Sequence, residues 1–414
     1  MLLPSKLKHN LETIFLLSPF FWAWGVIFNF PDTKHVLSRL MAIISVYCLL
    51  FYRHEIKDKL DNMVYQFFML FCLSVAILYT FYHFFNSGHF DFSRVVWSVF
   101  FYFLAIPKAV FTKKNFLNLI AISSVIVFSV AWYHFFGMHI SRVGFVVNSG
   151  PYAYVVGMTL IVTSGIVFDG FSKKKYRQGL VFLMITASLF TVIVLSQTRT
   201  AWLALTIVLL VQLIRILLCR KWMVLMFVLP FIVVMFYFIK DIDPIDKRVS
   251  YAVTEYNGIM EGGYNTSFGI RVDMWRNGLD IFKISPFFGV NAKEELGKIK
   301  ISHQNGDMDR EAFSILNQER PNYHNVFIQA LVKGGLLAFM FKLVWCLLFL
   351  LGGRSELGLI KCIFPLLTVF TLVSAQLESQ FTIYSATTYF YLLLVGYFVM
   401  LIVNESPKEF GPRK

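Results

Sequence analysis

Apolar residues in this chain fall in long, nearly unbroken runs rather than in the narrow stripes of a soluble helical protein. A helix needs roughly 17–25 such residues to cross a bilayer. Runs of that length lie near 14–30, 36–52, 63–85, 93–111, 116–136, 149–168, 179–195, 200–218, 222–239, 325–351, 359–377 and 383–403. The shortest separator is Ser196-Gln197-Thr198-Arg199, between the seventh and eighth runs. One long polar stretch, 240–324, interrupts the series. Within it Ile270, Met274, Gly278, Ile281 and Phe282 recur at helical spacing over 269–283, and Ser285-Pro286 ends the pattern. That segment reads as an amphipathic helix lying at the membrane surface. The pattern predicts an all-α polytopic membrane protein with about 12 transmembrane helices and one large loop containing short helices. Its parts are 1–239 with nine spans, the loop 240–324, and 325–414 with three spans and a tail.

Charge orients the spans. With the N-terminus inside, the cytoplasmic connections hold 20 Lys and Arg, among them Lys59, and the short outer ones hold five. This asymmetry is the positive-inside pattern. It places both termini in the cytoplasm and the loop 240–324 outside. The loop carries 11 basic and 13 acidic residues. No small-x-small cleavage site follows Lys6 and Lys8, so 14–30 reads as a retained span rather than a removed signal peptide.

Composition agrees with a lipid-solvated chain: 57% of residues are hydrophobic and 15% charged, against about 25% charged in soluble proteins. The net charge of +14 is topology signal plus attraction to anionic headgroups and implies no nucleic acid. The five cysteines avoid the polar loop and show no metal-type spacing, so neither a disulfide framework nor a metal site is expected.

Candidate chemistry gathers on the outer face. Arg142, Arg199, Arg271 and His324 stand at the ends of spans or in the loop. A guanidinium matches phosphate oxygens through two parallel hydrogen bonds. An interfacial anchor is the alternative for Arg199, and a solvated charge for Arg271. Arg276 has Asp273 and Asp280 at pairing distance along a helix. His324, at the head of run 325–351, is placed to act as a general base near neutral pH, the alternative being a surface histidine. A continuous helix over 325–351 would be about 40 Å long, against a hydrocarbon core of about 30 Å. Lys333 falls on the helix face opposite His324. Asp241-Ile-Asp243 and Asp307-Met-Asp309 have the D-x-D spacing of a metal site, a pattern common by chance in acidic loops. Glu319 and Glu378 are further potential acids or bases. Lys342 lies inside an apolar run, where a stem snorkelling to the cytoplasmic headgroups accounts for it.

Three segments together resemble the O-antigen ligase family, which shares its core with O-antigen polymerases and some bacterial protein oligosaccharyltransferases. They are Leu195-Ser196-Gln197-Thr198-Arg199-Thr200-Ala201, then Gly269-Ile270-Arg271 with Trp275 and the 281–287 run, then Tyr323-His324-Asn325 leading through Gln329 to Gly334-Gly335. The resemblance is strongest over roughly 190–345. It implies a GT-C-like glycosyltransferase that moves a glycan from undecaprenyl diphosphate to a sugar hydroxyl of lipid A–core, without a cofactor or metal and with inversion. It further implies that Arg199 and Arg271 hold the diphosphate and that His324 is essential. Arg142, Gln197 and Asn325 are then substrate-binding. A polymerase extending the lipid-linked glycan would use nearly the same residues. A transporter or flippase would place its ionisable groups nearer the bilayer midplane, often in repeated halves.

Overall fold

The structure, a computed structural model, describes residues 5–30, 33–86, 90–144, 148–218, 254, 266–355, 358–378 and 385–405. Fifteen α-helices are described: α1 Ser5–Phe21, α2 Thr33–Phe51, α3 Glu55–Leu60, α4 Met63–Phe85, α5 Phe90–Ala105, α6 Lys113–Trp132, α7 Ser149–Ser172, α8 Tyr176–Leu195, α9 Arg199–Leu218, α10 Ser267–Phe282, α11 Ala292–Gln304, α12 Arg310–Leu316, α13 Val326–Leu347, α14 Gly358–Leu377 and α15 Ser385–Glu405. No strand occurs among the described residues. Eight of the helices are long and apolar enough to cross a membrane. The chain is an all-helical, multi-pass membrane protein. Eleven of the twelve apolar runs coincide with described helices, and run 222–239 lies outside the described residues, as do Asp241 and Asp243.

The packing explains why two spans carry no polar stripe. In α15 the most apolar stretch is 100% buried by other parts of the protein, and in α7 the share is 78%. These helices stand inside the bundle, and the others surround them. Around α15 aromatic rings interlock: Tyr397 meets Phe20 at 5.1 Å and Phe111 at 5.0 Å edge to face, and Phe116 at 5.1 Å with the rings tilted. Outer helices keep large apolar side chains exposed, such as Leu50, Leu70, Phe84 and Met184, as a lipid-facing surface requires.

Two lysines depart from their sequence reading. Lys59, counted among the cytoplasmic charges that orient the spans, is fully buried and donates to the carbonyls of Phe103 at 3.0 Å, Leu104 at 2.8 Å and Ile106 at 2.7 Å. Its ammonium thus closes the C-terminus of α5, where carbonyls lack intrahelical partners and the helix dipole is negative. Lys59→Met is expected to leave these acceptors unsatisfied and destabilise the fold by about 2–4 kcal/mol. An unchanged thermal midpoint in detergent would contradict that role. Lys342 does not snorkel. It is buried, with its ammonium 3.7 Å from the Phe92 ring centre and 4.8 Å from that of Trp345. Aromatic faces lower the cost of holding a cation there.

The run 325–351 is also not one continuous helix. At Gly335 the backbone turns to φ 63° and ψ −161°, a conformation that favours glycine. The segment after α10 occupies the break. Val290 N–H donates to Val332 O at 2.9 Å, and Leu336 N–H donates to Pro286 O at 2.8 Å. A regular helix would join Leu336 to Val332; here each finds its partner on the inserted segment, so neither of these two groups is left bare. Tyr82 Oη donates to Gly334 O at 2.7 Å and ties α4 to the same point.

The loop helices form a small core of their own. Met274 and Ile281 of α10 pack with Ile299, Met308, Leu316, Tyr323 and Val332. The predicted amphipathic helix is therefore present within a residue or two of its expected bounds, but protein covers its apolar face. At Gly278 a Cβ would lie 2.6 Å from Ile328 and 3.0 Å from Tyr323, so glycine permits this close approach.

Candidate active site

The segment carrying His324 is held on both sides. Tyr323 N–H donates to Gln329 Oε1 at 3.0 Å, and Tyr323 O accepts from Trp275 Nε1 at 2.8 Å. Gln329 Nε2 reaches back to Pro321 O at 3.0 Å. On the other side Asn325 caps α13, its Oδ1 accepting from Phe327 N at 2.8 Å and Ile328 N at 3.1 Å. Asn325 Nδ2 donates to Gln376 O at 3.1 Å, which joins the start of α13 to the end of α14. Between these anchors His324 takes φ 49°, and its N–H donates to Asn322 Oδ1 at 2.9 Å. Left-handed backbone is uncommon for a residue other than glycine and persists where its surroundings impose it.

The His324 ring meets a carboxylate that the sequence offered only as one of two further potential acids or bases. Glu378, just past the end of α14, places Oε2 3.1 Å from His324 Nδ1 and Oε1 3.2 Å from Arg271 Nη2. Arg271 comes from the first turns of α10, so one carboxylate joins three separate elements. All three side chains are partly buried, with 17–26% exposure, so water screens them incompletely while a substrate can still reach them. At Gly150, in the first turn of α7, a Cβ would stand 3.6 Å from the Glu378 carboxyl carbon. The positive end of α7 thus faces the same group.

Gly150 links this array to the Ser196–Arg199 motif. Arg142 Nε donates to Ser196 O at 2.9 Å, and Gln197 Nε2 donates to Ser141 O at 2.7 Å, so residues 141–142 and 196–198 brace each other. Val143 N–H adds a bond to Leu195 O at 3.2 Å. Gln197 turns the chain at φ 50°, and Thr198 Oγ1 donates to Ser149 O at 3.2 Å, one residue before Gly150. Arg199 follows as the half-buried first residue of α9. Arg142, Gln197 and Asn325 therefore all make framework hydrogen bonds.

The chemistry available follows from hydrogen-bond roles. An ionised Glu378 only accepts, so His324 Nδ1 must carry the proton in their bond. A neutral His324 then presents an Nε2 lone pair to whatever lies beyond it, as an oriented general base requires. Arg271 balances the carboxylate and leaves guanidinium donors for an anion.

Other candidates fall elsewhere. Lys333 pairs with Glu295 at 3.4 Å, and Asp280 pairs with Lys283 at 2.6 Å rather than with Arg276. Asp309 precedes α12, and its N–H donates to Asp273 Oδ2 at 2.9 Å. The Glu378 signal in the sequence is slight. It is the single acidic residue between Glu356 and Glu405 and stands beside the apolar run 359–377.

No curated protein matches the chain. The family model described as O-antigen ligase matches residues 180–343, which include Arg199, Arg271 and His324. Over that stretch, which carries the braced Ser196–Arg199 turn and His324, the chain is similar to the O-antigen ligase family.

Proposed function

We propose that the protein is a lipid-to-lipid glycosyltransferase that moves a glycan from undecaprenyl diphosphate to a sugar hydroxyl of lipid A–core on the periplasmic side of the inner membrane. The observation that carries this reading is the Arg271–Glu378–His324 array, a base and a cation fixed to one carboxylate. In the proposed step His324 Nε2 takes the proton of the acceptor hydroxyl. The acceptor oxygen bonds the anomeric carbon as the bond from that carbon to the phosphate oxygen breaks, and the diphosphate leaves with the electron pair. One displacement inverts the anomeric configuration. Arg271 and Arg199 stabilise the charge that develops on the diphosphate, a task fixed cations perform without reorganising. Arg142, Gln197 and Asn325 hold the surrounding backbone in place.

The test is a lipopolysaccharide gel from cells lacking the gene, complemented with wild type, Arg199→Ala, Arg271→Ala or His324→Ala. Bare lipid A–core in the null strain, with accumulated lipid-linked glycan and a ladder restored by wild type alone, is the expected result. Lipid A–core capped by a single repeat unit would instead identify a polymerase. Transfer by purified protein is also expected to continue in EDTA. Loss of transfer there, with recovery on adding a divalent cation, would overturn the metal-free step.

A further inference from the structure

On the membrane face opposite the candidate active site, the chain collects cations that the transfer chemistry does not use. Gly150, beside Glu378, lies in the first turn of α7, and Lys173 follows the last residue of that helix. A helix of 24 residues is about 36 Å long, so its two ends reach opposite faces of the bilayer.

The start of α6 and the turn joining α7 to α8 hold Lys113, Lys114, Lys173, Lys174, Lys175 and Arg177. Asp169 is the single acidic residue between Asp91 and Asp241. It is already shared, because Lys113 and Lys173 each approach it at 2.8 Å. Lys174, Lys175 and Arg177 are exposed and form no ion pair among the described residues. The turn that carries them is fixed by its backbone. Lys174 takes φ 57°, and Lys175 N–H donates to Gly170 O at 2.8 Å. At Gly170 a Cβ would lie 3.0 Å from Gly179 Cα, so α8 starts pressed against the end of α7.

These three cations border an open groove of about 780 Å³ between α6 and α8. Leu117 and Ala121 of α6 and Phe182 of α8 also line it. Ala121 and Phe182 stand about two turns inside their helices, so the apolar part of the lining lies about 10 Å deeper than the cations. The groove therefore grades from cationic at the bilayer surface to apolar within it. An anionic phospholipid has the same gradient, with its phosphate at the interface and its chains pointing inward. Basic pockets between membrane helices hold such headgroups. A soluble acidic partner would match the cations but leave the apolar depth unfilled. A lipid without net charge would leave the cations uncompensated.

We infer that the groove between α6 and α8 seats one anionic phospholipid, its headgroup phosphate held by Lys174, Lys175 and Arg177 and an acyl chain laid against Leu117, Ala121 and Phe182. The assignment does not depend on the glycosyl-transfer reading. The experiment uses full-length protein in nanodiscs of phosphatidylcholine mixed with phosphatidylglycerol. Native mass spectrometry reads which lipid stays bound when the discs are stripped away. Wild type is compared with Lys174→Gln/Arg177→Gln, which removes charge, and with Ala121→Trp, which fills the groove and leaves every charge in place. Arg53→Gln/Lys57→Gln is the control, because it removes the same charge from exposed positions outside the groove.

The expected result is that wild type and the control retain phosphatidylglycerol in preference to phosphatidylcholine, and that both groove variants lose about tenfold or more of that preference. Equal retention in wild type and both groove variants overturns the site. An equal loss in the control and in Lys174→Gln/Arg177→Gln would reduce the effect to general surface charge and overturns it too. A loss in Lys174→Gln/Arg177→Gln with Ala121→Trp like wild type would mean attraction without a seat between the helices, again against the proposal. If the charge variant fails to accumulate, Ala121→Trp decides alone.

Discussion

Glu378→Gln is expected to lower glycan transfer by on the order of a hundred- to ten-thousand-fold, close to the loss from His324→Ala. The amide keeps the shape of the carboxylate but not its charge. Its oxygen can still face His324, yet the Arg271 guanidinium loses its ion-pair partner, and the imidazolium formed during proton transfer loses its counter-ion. The carboxylate is partly exposed, so the fold should tolerate the change with a thermal midpoint near wild type. The decisive comparison is the double variant Glu378→Gln with His324→Ala. Residues that act as one unit give non-additive losses, so the double variant should be no slower than His324→Ala alone. Multiplying losses would mean that Glu378 and His324 serve separate steps. Near-normal activity in Glu378→Gln would reduce the carboxylate to an ion-pair partner.

Gly335→Ala is expected to have the largest effect on folding. An alanine at φ 63° costs about 1–2 kcal/mol from backbone sterics alone. Its Cβ would also overlap the Phe287 carbonyl of the inserted segment. Relief requires that segment to withdraw, which frees Val332 O and Leu336 N–H and opens the floor beneath the loop core. The combined penalty is about 4 kcal/mol or more, enough to deplete a marginally stable protein from the membrane. Gly297→Ala is the control of opposite sign. Gly297 sits inside α11 with open space around its Cβ position. Alanine there should stabilise by about 0.5–1 kcal/mol. Yields and thermal midpoints of the two variants check the pair; similar behaviour would show that the break at Gly335 does not depend on glycine.

The membrane helices were legible along the chain because their signal is local. A span must supply its own apolar length and satisfy its own backbone, so hydropathy over about twenty residues suffices to find it. The amphipathic period of α10 was legible for the same reason. The helix break was not, since Gly334-Gly335 interrupts neither length nor hydropathy and only the insertion of 286–290 reveals it. What covers α10 was also hidden, because an apolar stripe carries no mark of whether lipid or protein will lie against it.

The candidate site divides along the same line. Arg199, Arg271 and His324 could be named from motifs, since each sits in a short recognisable string. The carboxylate shared by Arg271 and His324 could not, because Glu378 lies 107 residues from Arg271 and 54 from His324. Lys59 read as a topology charge and Lys342 as a snorkelling one for a related reason. What satisfies them, three carbonyls at the end of α5 in one case and aromatic faces in the other, comes partly from other helices. Sequence thus determined the spans, the loop helix and the motif residues, whose causes lie within a few turns of chain. Tertiary structure alone decided which groups meet, because desolvated charges find partners through the packing of distant helices.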